Sequence, residues 1–186
     1  MKKHKVIRFF TIASILLIQT IFLIKLVQDK YTANNHSAAL TILLIAISMA
    51  LGYRYVSLHP KQYAYEKLSV AIWVPIGALA CYSLNLHTNL GSVICAGIIG
   101  TIASFIPSMN KDVTYLQKIP AAIYCGVFVG MSSTLVLPST YFVLASGTLA
   151  GIFYMLSKKL FFGFGGKLGT IAFCGVLVVA LINYLA

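Results

Sequence analysis

The chain has 186 residues, of which 60% are apolar and only 9% charged. Soluble domains carry about a quarter charged residues, so the composition excludes an ordinary soluble enzyme or binding module and points to an integral membrane protein. The formal net charge of +11 does not indicate nucleic-acid binding, which needs a basic face carried by reading elements. No nucleic-acid partner is expected.

A membrane-spanning helix needs roughly 20 mostly apolar residues, and about seven stretches fit that template. In chain order they run 7–27, 38–56, 68–84, 90–106, 119–137, 141–157 and 168–185. The expected fold is therefore all-α, a polytopic transmembrane helix bundle forming a single integral membrane domain over 1–186. The basic start "MKKHKVIRFF" resembles a signal peptide. The apolar run after it exceeds the roughly 7–15 residues of a signal core and lacks a small-residue cleavage pattern, so it reads as a retained first helix.

Lysine and arginine set the expected orientation. With the N-terminus cytoplasmic, Lys2, Lys3, Lys5, Arg8, Arg54, Lys61, Lys67, Lys111, Lys118, Lys158, Lys159 and Lys167 all fall inside, and only Lys25 and Lys30 fall outside. That bias follows the positive-inside rule and predicts an outside C-terminus in a multi-pass protein of the cell membrane. It also accounts for most of the net charge. The cytoplasmic side then faces anionic headgroups of the bilayer.

Chemistry is sparse along the spans. The acids Asp29, Glu66 and Asp112 and the histidines His4, His36, His59 and His87 map to loops or span edges. A proton relay through mid-membrane acids is disfavoured unless Glu66 or Asp112 faces a cavity. No base stands ready to activate a serine nucleophile, so no enzyme activity and no cofactor are expected. Cys81, Cys95, Cys125 and Cys174 lie in spans without a CxxC pair or attendant histidines, and read as small apolar residues rather than metal ligands. The stretch "GFGGKLGT" (Gly163–Thr170) superficially resembles a phosphate loop. Phe161 stands where that motif needs its first glycine, and Leu168 where it needs Ser or Thr.

Small residues recur at steps of four: Ala96, Gly100 and Ser104; Gly126, Gly130 and Thr134; Gly147 and Gly151. Such faces let membrane helices approach closely, so these residues are expected at helix contacts. Pro75 interrupts the third span and should kink it. A kink beside Ser132, Ser133 and Thr134 could line a modest substrate pocket. "GALAC" (Gly77–Cys81) resembles "GTLAG" (Gly147–Gly151), and "ICAG" (Ile94–Gly97) resembles "FCGV" (Phe173–Val176). Those likenesses suggest a 1+3+3 inverted repeat.

On the cytoplasmic rim, Lys158, Lys159, Gly165, Gly166, Lys167 and Thr170 combine a glycine-rich backbone, lysines and a helix start. That combination suits an anion or a lipid headgroup. The leading functional expectation is a permease or channel-like transporter for a small or amphipathic solute. The alternative is a non-catalytic membrane subunit, sensor or scaffold that docks partner proteins through its basic rim. A homo-oligomer or a membrane-complex partner fits either.

Overall fold

The computed structural model describes residues 10, 13, 17–18, 20–28, 31, 36–55, 65–110, 113–158 and 166–185. The chain divides into two compact units, Met1–Tyr63 with Lys159–Gly165, and Ala64–Lys158 with Gly166–Ala186. In the first unit residues 20–28 are helical, and α1 spans His36–Tyr55. Much of the first expected span lies outside the described residues.

The second unit is built from α2 (Leu68–Ala71), α3 (Trp73–Thr88), α4 (Ser92–Met109), a 3-10 turn (Leu116–Lys118), α5 (Ile119–Gly130), α6 (Thr140–Leu156) and α7 (Lys167–Leu185). No strand occurs among the described residues. Among the described residues, three stretches are long and apolar enough to cross a membrane: Leu68–Thr88, Ser92–Met109 and Lys167–Tyr184. Leu116–Gly130 and Thr140–Leu156 are apolar but shorter.

Local chemistry explains the breaks. Pro75 stands in the first turn of α3, where its missing N–H costs least. It has no donor to offer the Ala71 carbonyl, and the helix is interrupted at Ile72, between α2 and α3. The α3–α4 turn uses Asn89 in the left-handed region (φ 52°) and Gly91 at φ 88°, backbone states these residue types accept most readily. The fifth expected span, 119–137, is helical only to Gly130. Glycine and two serines weaken the helix there, and residues 131–139 run as turns up to the next helix.

Helix α5 lies against α3, α4, α6 and α7. One core joins Val74, Ala78 and Tyr82 of α3 to Cys125 and Val129 of α5, Ala150 of α6 and Ile171 of α7. A second packs Cys81 of α3 and Cys95 and Ala103 of α4 against Ile123 and Val127 of α5. Between α3 and α5 the backbones nearly touch. A Cβ on Gly126 would fall on the Val74 carbonyl oxygen, and one on Gly130 on that of Ala78. From the other side, a Cβ on Gly77 would lie 2.7 Å from the Ile123 oxygen. Gly175 of α7 meets α6 in the same way, 2.7 Å from the Ser146 oxygen.

The outer side of α4 is the opposite case. Val93, Ile94, Ile102, Phe105 and Met109 are exposed, Met109 at 83%. Apolar side chains on the outside of a helix that can cross a bilayer have lipid as their solvent.

Gly126→Ala is therefore expected to lower stability by about 1–3 kcal/mol through overpacking. Gly97→Ala, with nothing within 4 Å of its new methyl group, should instead be neutral or stabilising, by up to about 1 kcal/mol, because alanine favours a helix interior over glycine. Thermal unfolding of both variants in detergent checks the contrast.

Candidate functional site

The densest polar chemistry among the described residues surrounds Glu66, just before α2. Glu66 is only 8% exposed, in a chain with three acids against fourteen lysines and arginines. A buried carboxylate is costly unless paired and hydrogen-bonded. Here Lys118, ending the 3-10 turn, approaches Oε1 at 3.3 Å. Lys158, just past α6, approaches Oε2 at 3.1 Å and Oε1 at 3.2 Å. The Lys67 amide donates to Oε1 at 3.3 Å, and the Glu66 amide donates to Met155 O at 3.0 Å.

Two further pairs of hydrogen bonds extend the clamp. Lys167, at the start of α7, donates to Ser157 O at 2.6 Å and to Lys158 O at 2.9 Å. These carbonyls end α6, where orphan acceptors and the negative end of the helix dipole favour a cation. On the other side, Trp73 Nε1 donates to the Tyr115 hydroxyl at 3.0 Å, which itself donates to Ser69 O at 3.1 Å. The segment before α2, the 3-10 turn, the end of α6 and the start of α7 thus meet around one carboxylate.

Burial pushes the Glu66 carboxyl up. Hydrogen bonds from Lys158, the Lys67 amide and Lys118, together with the Lys158 charge, outweigh burial and hold the group below its ordinary 4.5. Lys118 and Lys158 remain partly exposed, at 33% and 28% of their side chains, so solvent screens both pairs.

The residues expected from the sequence to hold an anion distribute differently. Lys158 and Lys167 are engaged within the protein, the first by Glu66 and the second by the end of α6. Thr170 Oγ1 bonds Gly166 O at 3.2 Å, one turn back, and Gly166 takes φ 83°. Lys159 and Gly165 lie outside the described residues.

The expected pocket residues are not gathered at one place. Pro75 packs against α6, its Cα 2.9 Å from where a Gly147 Cβ would sit. Ser132 is half-buried, and Ser133 and Thr134 are exposed, in the turn after α5. That turn is held by Tyr82, whose hydroxyl donates to Leu137 O at 3.0 Å. Tyr82 lies roughly 10 Å along α3 from Pro75.

Among the small residues, Gly100 faces the Tyr124 ring and Gly151 lies near Ala71 O, while Gly126, Gly130 and Gly147 meet α3. Ala96 is half-buried against the second core. Ser104 is exposed and bonds Thr101 O at 2.7 Å. The four cysteines are buried and free, and no cluster of metal-ligating side chains occurs among the described residues. Sequence pattern does not single out Lys118, Tyr115 or the buried Ser146 as site residues. The scarcity of carboxylates was the available signal for Glu66.

Because the Glu66 pKa is lowered on folding, its stabilising contribution is complete above about pH 4.5 and is lost as pH falls through the folded value. Melting curves between pH 7 and pH 3 should show a decline that Glu66→Gln flattens. At neutral pH that variant should cost about 1–2 kcal/mol, after allowance for the partly exposed lysines.

No family model matches the chain, and no curated protein or solved structure matches it either.

Proposed function

We propose that this chain is a non-catalytic integral membrane subunit of about seven spans whose basic rim faces the cytoplasm and docks partner proteins. The observation that carries the reading is the backbone-to-backbone seam of α3 and α5. With Gly126 against Val74 O and Gly130 against Ala78 O, that interface has no space for a solute or a water file. The Glu66 clamp supports the same reading. It fixes lysines from separate elements at one end of the unit, giving a preorganised cationic surface of the kind that partners with acidic segments recognise.

The permease reading keeps one supporting observation. The Ser146 hydroxyl, fully buried in α6, has no hydrogen-bond partner among the described residues. Buried polar groups of this kind are normally satisfied, and an exception invites a functional or solvent explanation. Its place at the α6–α7 contact makes it the position where a wet pathway would first be detected.

The two readings separate by thiol accessibility. With the native cysteines replaced by alanine, Ser146→Cys is probed with a small membrane-impermeant reagent in intact cells and inverted vesicles. The subunit reading expects no labelling while a Lys67→Cys control reacts from the cytoplasmic side. Labelling of Ser146→Cys from either side would sink it in favour of transport.

A further inference from the structure

An apolar groove of about 150 Å³ runs between α2–α3 and α6, lined by Leu68, Ile72, Pro75, Thr148, Ile152 and Met155. Its one hydroxyl is already engaged, since Thr148 Oγ1 donates to Leu144 O and Ala145 O. The groove is smaller than the roughly 300–1,000 Å³ clefts that enclose whole small-molecule ligands. An apolar space of that size accepts a segment of one hydrocarbon chain rather than a compact polar ligand.

The end of the groove marked by Leu68 and Met155 is the end where the charges lie. Lys67 immediately precedes Leu68, and the Glu66 amide bonds Met155 O at 3.0 Å. Lys158 then reaches the Glu66 carboxylate. Among the described residues, Lys118 and Lys158 pair with that single carboxylate and Lys167 holds the carbonyls of Ser157 and Lys158 beside it, three cations against one anion, while the exposed Lys67 adjoins Leu68 at the mouth of the groove.

We infer that this groove and its lysine-rich mouth form a binding site for one anionic phospholipid, with an acyl chain along Ile72 and Ile152 and the phosphate beside Lys67 and Lys158. Basic pockets between membrane helices suit anionic headgroups. The groove supplies what a flat basic rim lacks, an apolar track continuous with the charge. Glu66 holds Lys158 at the mouth without cancelling the surplus. The site does not depend on the subunit reading, because a transporter could carry it equally well.

The test uses the full chain purified in mild detergent and given equal amounts of phosphatidylglycerol and phosphatidylcholine, with retained lipid read by native mass spectrometry. Phosphatidylglycerol should be retained several-fold more, and Lys67→Ala should cut that preference roughly fivefold, the worth of one lysine near an anionic headgroup. Ile152→Trp, which fills the groove, should reduce retention of both lipids. Inorganic phosphate should leave the thermal midpoint unchanged where phosphatidylglycerol raises it. Both substitutions are at exposed positions, so gel filtration and the melting midpoint verify that the variants stay folded. Equal retention of the two lipids would overturn the inference, as would a preference untouched by Lys67→Ala. Wild-type retention in Ile152→Trp would also overturn it, leaving only general attraction of lysines to an anionic surface.

Discussion

The arrangement of the second unit depends on a single carboxylate being worth burying. Glu66 brings together chain segments that are far apart in sequence, and each supplies either a lysine or a backbone group. In a bilayer protein the hydrophobic effect does little to bring helices together, because lipid tails are as apolar as leucine. Specific polar contacts at a rim therefore matter more for choosing one arrangement among many. The ion cluster sets which helix ends coincide, and close packing then completes the interfaces between them.

Those interfaces use another kind of specificity. Where α3 crosses α5, glycine is the element of recognition, since a side chain on either helix would strike the partner's backbone. Close approach increases dispersion contacts along the seam, each small and together large. Tyr82 and Tyr115 add hydroxyl bonds to carbonyls at separate places along the helices, one holding the turn after α5 and the other tying the 3-10 turn to α2. Packing in the middle and polar ties nearer the ends make a unit with little freedom to slide.

Much of this was legible in the sequence. Helical segments at α3, α4, α6 and α7 follow from runs of apolar residues, although α3 runs Trp73–Thr88 where the span is expected over 68–84. Steps of four pointed to Gly126, Gly130, Gly147 and Gly151, but the same rule applied to Thr134 and Ser104, which are exposed. Thr134 fails because α5 ends at Gly130, and a helical spacing has no meaning in the turn that follows. The rim reads from the sequence as a loop inviting an outside anion, and it also carries an internal pairing, Lys158 with a carboxylate 92 residues away in sequence. Pairings of that separation leave no periodic trace. A proline within a span predicts a kink, with a modest pocket beside it. The kink expected at Pro75 corresponds to the interruption of the helix at Ile72, and the proline lies near Gly147 and Gly151 of α6.

The glycine seam also bears on how such a chain can vary over generations. At Gly77, Gly126 and Gly130 even the smallest added side chain collides with main-chain atoms, which no change elsewhere in the side chains can move aside. The outer side of α4 is exposed among the described residues, so one large apolar residue there substitutes for another at little cost to the packing of the second unit. Substitutions should therefore accumulate on α4 while the seam stays fixed. Distant descendants would keep three glycines in register long after the rest of their sequences had ceased to look alike.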